Sequence, residues 1–277
     1  MWWCQKGVGF LPATLVAWSS ATFIVNYVIA VLLGHTDPLI PYISDTSAEV
    51  PERCLFGFML SISSFFGLAT VYVRYKQVEA LAVGGETRLH QFNSAALTLG
   101  CLSALGMCIV ANFQESAIIS VHLLGATLTF GSGVLYILIQ TAMSYHMQPR
   151  FQSKDIVWAR TAVGLWTMAS IITMFVSSVI LYDDLPGVDV TSKRHWRPGE
   201  KGYTAHLVST VSEWSLAFSF IMFFLTYIRD FQQNDSLMRV NDKWQLLMLA
   251  WPATNSNLHC LSVHQIKRIH SYKSILS

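Results

Sequence analysis

The sequence predicts an all-α integral membrane protein: a bundle of six transmembrane helices with both termini in the cytosol. Apolar residues make up 53% of the chain and charged residues only 12%, about half of the roughly 25% that is usual in soluble domains. The apolar residues form long runs, each about as long as or longer than the roughly 20 residues that a helix needs to cross a bilayer. The net charge of +2 is too small to favour nucleic acid as a partner.

The six predicted spans cover about residues 10–33, 54–73, 95–113, 117–145, 157–182 and 205–228. The first is too long for the apolar core of a signal peptide and no small-x-small cleavage site follows it, so we interpret it as a retained helix. The third and fourth are separated only by residues 114–116, which predicts a tight antiparallel hairpin. Residues 1–232 are thus predicted to form the membrane domain, and residues 233–277 a flexible cytosolic tail.

The distribution of positive charge predicts the orientation. Cytosolic segments of membrane proteins carry an excess of Lys and Arg. With both termini inside, most of the 18 Lys and Arg residues, Arg74 and Arg160 among them, fall on the cytosolic side. The other side holds Arg53, Lys193, Arg194, Arg197 and Lys201.

Small residues predict close helix packing in the third and fourth spans. Ala96, Gly100 and Ala104 recur every four positions, which lets another backbone approach the third span. A similar role is expected for the glycines of the fourth span, Gly125, Gly131 and Gly133.

The sixth span differs from the others because it carries a carboxylate well inside the apolar run. Glu213 lies roughly 12 Å from the start of the span at Ala205, at 1.5 Å per residue. An acid at that depth should face protein or a watery cavity rather than lipid. His206, Ser209, Thr210 and Glu213 share one helix face, which predicts an inner helix with a polar stripe.

Two interpretations of this stripe remain open. Glu213 can be part of a proton- or ligand-linked site, with His206 as an acid–base partner two turns away across a substrate. It can equally be a neutral acid that is hydrogen-bonded to a Ser, Asn or His of a neighbouring helix, with His206 as an interface residue.

The segments outside the spans suggest lids and sorting signals. The loops at residues 34–53 and 183–204 are rich in charge, and the first holds three prolines, so we expect ordered, non-helical lids.

The tail holds two patterns that resemble sorting signals. Asp242, Leu246 and Leu247 form the acidic-dileucine type, which endolysosomal sorting adaptors bind. Tyr272 and Ile275 form the tyrosine-x-x-bulky type.

Enzyme motifs are not found. The chain holds no G-x-G-x-x-G after a strand, no P-loop, no H-E-x-x-H and no G-x-S-x-G, and its cysteines lack metal-finger spacing. We therefore expect a non-enzymatic protein without catalytic, cofactor-binding or metal-binding residues.

A set of stretches in fixed order carries a family resemblance: the MWW start, PYISDT, CLFGFML, YVRYKQV, IVANFQ, EWSLAFSF and LTYIRDFQ, at residues 1–3, 41–46, 54–60, 72–78, 109–114, 213–220 and 225–232. In these the chain resembles the DNA-damage-regulated autophagy modulator (DRAM) family of the Frag1/DRAM/Sfk1 group, and within it the second vertebrate paralogue. The resemblance covers nearly the whole predicted membrane domain and does not extend past about Gln233.

The resemblance implies a six-span protein that promotes autophagy at the lysosomal membrane. It also allows a location in the endosome, the Golgi or the plasma membrane. It also implies links to cell death and photoreceptor maintenance, and no catalytic residue. Expected partners are membrane lipids, sorting adaptors, and autophagy or membrane-transport proteins. Two other hypotheses stay open: a proton-linked transporter or channel that uses Glu213, and a lipid-handling or lipid-remodelling protein by analogy with Frag1-type relatives.

Overall fold

The computed structural model describes residues 9–39, 41–81, 87–148, 152–188, 190 and 193–232, and over these ranges it is all-helical. The helices are α1 (Phe10–Leu32), α2 (Glu52–Leu81), α3 (Thr87–Asn112), α4 (Ile119–Ala126), α5 (Gly133–His146), α6 (Lys154–Asp184) and α7 (Tyr203–Leu225). A π-helical segment, Thr127–Ser132, joins α4 to α5, and α7 continues beyond a turn at Thr226.

Six helices are long and apolar enough to cross a membrane, because α4 and α5 form one span (Ile119–His146) and α7 with its continuation forms another (Tyr203–Gln232). Large apolar side chains point away from the bundle on several of them, including Phe58, Phe65, Leu165 and Phe175. In water such a surface would be unfavourable, whereas in a bilayer it contacts lipid tails. The predicted fold class is confirmed, while the orientation of the termini stays a prediction.

The helices pack in chain order into a ring, in which each span contacts the next and α7 closes the ring against α1. The sixth span, expected to be an inner helix, lies in this ring between α6 and α1. Its polar side chains contact the loop of residues 34–51 and α6. We call the end of the ring that carries residues 34–51 and 193–202 the loop end, and the opposite end, where Gly9 meets Gln232, the terminal end.

At the terminal end α2 and α3 run further than the apolar runs suggested. The second span was predicted to end at residue 73, but α2 continues to Leu81, and α3 begins at Thr87 rather than at residue 95. These extra turns carry polar residues that are buried between helices. Asn93, for example, is 1% exposed and donates from Nδ2 to the carbonyl of Tyr75 at 2.9 Å.

Small residues bring α3 close to its neighbours, as expected. A Cβ on Gly100 would lie 2.5 Å from a methyl carbon of Val71 on α2, and one on Gly106 would lie 2.5 Å from the backbone nitrogen of Thr129. Beside this contact the hydroxyl of Ser103 donates to the Thr129 carbonyl at 2.8 Å, within the π-helical turn. Gly131 does not share this role, since a Cβ there would meet nothing within 4 Å.

Candidate functional site

Glu213 is fixed to the loop end of the bundle by the backbone of residues 34–51. Its Oε2 accepts the N–H of Ile43 at 2.8 Å, and its neighbour Trp214 donates from Nε1 to the carbonyl of Pro41 at 2.8 Å. The loop therefore descends onto α7 and is held there by two hydrogen bonds. The partner of Glu213 is a backbone N–H of this loop rather than a side chain of a neighbouring helix.

His206 belongs to the lid rather than to the surroundings of Glu213. Its ring stacks on Trp196, with centroids 4.2 Å apart and an interplanar angle of 12°, and it meets the ring of Tyr42 edge-on at 5.2 Å. Lys193 Nζ lies 4.1 Å from the centroid of the Trp196 ring on the same loop. His206 thus anchors both lids to the first turn of α7.

The other two members of the predicted stripe bond elsewhere. The hydroxyl of Ser209 lies 2.8 Å from that of Ser178 on α6. The hydroxyl of Thr210 donates to the carbonyl of Leu207 in its own helix at 3.0 Å. His206, Ser209 and Thr210 are buried, but the members of the stripe do not converge on a common ligand position.

The two lids are joined to each other by charged groups. Asp37 accepts from the N–H of Trp196 at 2.6 Å and pairs with the His195 ring at 2.9 Å, while Arg194 binds Glu49. Partial burial raises the pKa of Asp37, but these hydrogen bonds outweigh it and hold the pKa below its ordinary value. The expected ordered, non-helical character fits residues 193–202, whereas residues 34–51 include a short 3₁₀ turn, Asp45–Ser47.

Asp45 in that turn is an unusual carboxyl because it is buried, at 8% exposure. Burial, reinforced by the negative charge of Glu115, raises its pKa from 3.8 to about 8, and the attraction of Arg194 only partly opposes this. Asp45 is therefore neutral in the folded protein at acidic and neutral pH.

A cavity of about 120 Å³ opens beneath this lid, inside the ring. Its walls come from α1, α2, α3, the fourth span and α7, and they are largely apolar. Ile43 and Glu213 form part of its wall at the loop end, and Val71 and Phe224 lie towards the terminal end. The hydrogen-bonded Glu213 and this cavity are thus one structural unit.

A second buried polar cluster lies at the terminal end and was not predicted. Asp230 Oδ2 accepts from Arg74 at 3.0 Å, from Arg160 at 2.6 Å and from Gln152 at 3.0 Å. Gln140 accepts from Nε of Arg74 at 3.2 Å. Both arginines are 0% exposed, so two positive charges share one carboxylate inside the protein.

Aromatic rings complete this cluster. The guanidinium groups of Arg160 and Arg74 lie 4.9 and 5.3 Å from the ring centroid of Tyr227, positions that favour cation–π attraction. The Tyr227 hydroxyl lies 2.9 Å from that of Tyr136. The cluster joins α2, α5, α6 and the continuation of α7.

Sequence reasoning counted Arg74 and Arg160 among the cytosolic charges and did not predict that they are buried. A signal was present: Val71, Arg74 and Val78 follow helical spacing, so the apolar face of α2 continues through the charge. Asp230 occupies the equivalent place after the sixth span, and opposite charges at the same end of two spans indicate a buried pair.

No group of three or more His, Cys, Asp or Glu side chains in the described part of the chain could hold a metal ion. The tail residues singled out as sorting signals, Asp242, Leu246, Leu247, Tyr272 and Ile275, lie outside the described residues. Their use, and the division into a membrane domain and a tail, stay predictions.

Comparison with known proteins gives the same family along almost the whole bundle. Residues 7–234 match the family model described as the Frag1/DRAM/Sfk1/Cwh43P N-terminal domain. The chain is 52% identical over 233 residues to DNA damage-regulated autophagy modulator protein 2 of Rattus norvegicus, covering 84% of this chain and 87% of the relative.

Two human relatives agree. The chain is 50% identical over 241 residues to DNA damage-regulated autophagy modulator protein 2 of Homo sapiens (87% of this chain, 90% of the relative). It is 44% identical over 227 residues to protein 1 of the same name (82% and 92%). No solved structure matches. The predicted resemblance is confirmed, and the chain belongs to the Frag1/DRAM/Sfk1 family as a DRAM member.

Proposed function

We propose that this protein is a non-enzymatic modulator of autophagy that acts at the lysosomal membrane. The observation that carries the proposal is the 52% identity, over 84% of the chain, to a relative named as an autophagy modulator. The family match over residues 7–234 includes the segments that carry the lids, the cavity and the buried ion cluster, so what these features do in the relatives is expected here. Links to cell death and photoreceptor maintenance belong to the same proposal.

The structure supports a role through partners rather than through chemistry. The polar side chains of the α7 stripe are engaged in separate hydrogen bonds and ring contacts, and the buried arginines are engaged with Asp230. A catalytic centre needs convergent polar groups around an open position. These contacts instead fix the relative positions of helices and lids.

The test is autophagic flux in cells that lack the protein. Deletion should lower lysosomal turnover of an autophagy reporter under starvation, and re-expression of the full chain should restore it. Related autophagy modulator proteins in the same cells are depleted as well, so that they cannot compensate. Unchanged flux under these conditions would refute the proposal.

A proton-linked transporter or channel remains the second candidate, because Glu213 lies in the wall of a cavity inside a membrane bundle. Its support is weaker, since the cavity walls are mainly apolar and offer few groups to carry a proton. Glu213→Gln should abolish a pH-dependent flux if this candidate is correct. Normal folding and normal autophagy in that variant would remove it.

A lipid-handling role is the third candidate, and the apolar cavity is the observation that favours it. Lipid profiling of cells that lack the protein tests it: an unchanged lipid composition would argue against remodelling, although not against simple lipid binding.

A further inference from the structure

The cavity inside the ring is long and narrow. On α2 its lining runs from Phe56 to Val71 and on α7 from Glu213 to Phe224, which corresponds to about 22 Å and about 16 Å along the helices. The volume of about 120 Å³ is the space open to the centre of a water-sized sphere. Spread over about 20 Å and widened by the roughly 1.4 Å radius of that sphere, it corresponds to a tube about 5–6 Å across. This width suits one unbranched chain and is too narrow for fused rings.

The walls of the cavity suit hydrocarbon rather than water. The hydroxyls of Ser64 and Ser103, which line it, donate to the carbonyls of Ala104 and Thr129 at 2.6 and 2.8 Å. These polar groups are therefore satisfied within the bundle. Apolar cavities of this kind stay dry and accept apolar guests.

Glu213 gives the cavity one polar position near the loop end. Its Oε2 is occupied by the Ile43 N–H, and no described residue donates a hydrogen bond to Oε1. A hydroxyl group suits this oxygen whether or not Glu213 holds a proton, because a hydroxyl can both donate and accept a hydrogen bond.

We propose that this channel holds the single alkyl chain of a membrane lipid whose hydroxyl headgroup forms a hydrogen bond with Glu213. The headgroup lies beneath the lid of residues 34–51, and the chain runs towards Val71 and Phe224. The ring stands in a bilayer, so alkyl chains are the apolar molecules at highest concentration around it. This binding site goes beyond the modulator function and does not depend on it.

Gly67 offers a way to close the channel without disturbing the fold. It lines the cavity, and a Cβ added to it would meet nothing within 4 Å. A leucine there would project into the space of the chain. Gly131 is the matched control, because its added Cβ also meets nothing within 4 Å but it does not line the cavity.

The experiment is photolabelling of the purified full chain in lipid nanodiscs with a palmityl alcohol that carries a mid-chain diazirine and a terminal alkyne. We expect labelled peptides from the cavity walls in the native protein and in Gly131→Leu. Labelling of these peptides should fall about tenfold or more in Gly67→Leu. The leucine side chain displaces the alkyl chain, and the loss of its buried contacts lowers the binding affinity by about tenfold or more. Labelling that stays the same in Gly67→Leu overturns the proposal.

Two further arms complete the test. If Gly67→Leu fails to fold, the peptides labelled in the native protein decide: cavity residues support the proposal, and only lipid-facing residues such as Phe58 and Phe65 overturn it. The analogue of the probe that ends in a methyl group instead of the hydroxyl tests the headgroup. The native protein should be labelled more by the alcohol than by this analogue, and Glu213→Leu should lose that preference. Equal labelling by the two probes in the native protein contradicts the role of Glu213.

Discussion

The buried ion cluster shows, at the scale of single residues, how the terminal end of the bundle is held together. Taking a charge out of water is unfavourable unless partners replace the lost hydration. Here Asp230 partners both Arg74 and Arg160 at 3.0 and 2.6 Å, and the ring of Tyr227 lies beside both guanidinium groups. Removing the one carboxylate leaves two buried cations facing each other.

Asp230→Asn should therefore lower the free energy of unfolding by about 3–5 kcal/mol, the usual effect of removing one partner of a buried pair. Asp155→Asn is the matched control, since Asp155 is exposed in the first turn of α6 and its loss should change stability by less than about 1 kcal/mol. Unfolding of the purified variants in mild detergent measures both. Equal losses for the two variants would contradict the cluster's role.

Asp45 should make the stability of the protein depend on pH. The pKa of Asp45 is about 8 in the folded protein, whereas its ordinary value, which applies to the unfolded chain, is 3.8. Between these two values the folded state holds a proton that the unfolded state has released. Stability then falls as pH rises from about 4 to about 8 and is unaffected by this group below that window. The full unfavourable contribution is present above pH 8.

Thermal unfolding at pH 5 and pH 7.5 measures this effect. The native protein should be more stable at pH 5, by at most about 3 kcal/mol, since each pH unit within the window contributes about 1.4 kcal/mol. Asp45→Asn, which cannot ionise, should flatten the dependence. An equally steep dependence in the variant would show that another group is responsible.

At the scale of helices, close approach decides where small residues are needed. Gly106 on α3 faces backbone atoms of the fourth span, and an added Cβ would lie 2.5 Å from Thr129 N and 2.6 Å from Gly125 O. Backbone cannot move aside as a flexible side chain can. Gly67 on α2 faces open space instead, so two glycines in neighbouring helices have opposite environments.

The same substitution should therefore have opposite effects at the two sites. Gly67→Ala should stabilise the protein by up to about 1 kcal/mol, because alanine favours the helix. Gly106→Ala should destabilise it by about 1–3 kcal/mol, since the clash outweighs that gain. Melting temperatures of the two variants measured side by side check this, and shifts of the same sign would contradict the packing described.

The helices themselves could be predicted from the sequence because an apolar run of sufficient length has few alternatives in a membrane. Their extensions past residue 73 and before residue 95 could not, because Arg74, Gln77 and Asn93 are polar. Only tertiary packing buries these side chains, and a single sequence does not say which neighbour supplies the partner. Glu213 was found because it interrupts an apolar run, while its partner, Ile43 N–H, is a backbone group that no side-chain pattern reveals.

At the scale of the whole molecule, the two lids close the loop end of the ring as one layer. Asp37 bonds to Trp196 and His195 of the other lid, and Trp196 in turn stacks on His206 of α7. Ile43 and Ser44 of this layer line the cavity. Access to the cavity from the loop end therefore depends on contacts between the lids.

Asp37→Ala should release residues 193–202 from the first lid. Trypsin added to the purified protein should then cut after Arg194 several times faster, because cleavage requires local opening. Asp183→Ala serves as control, since Asp183 is exposed at the end of α6 and should leave the rate unchanged. Similar rates for the native protein and Asp37→Ala would show that this contact does not hold the lid.

The central claim, that the chain works at the lysosomal membrane, is tested most directly by imaging. The full-length protein and a truncation after Gln233 are expressed in the same cells and co-stained for lysosomes. We expect the full-length protein on lysosomes. The truncation should stay at the Golgi or the cell surface, because it lacks the two tail patterns that we interpret as sorting signals. Lysosomal staining of both proteins would show that the bundle itself carries the sorting information. Absence of the full-length protein from lysosomes would contradict the claim.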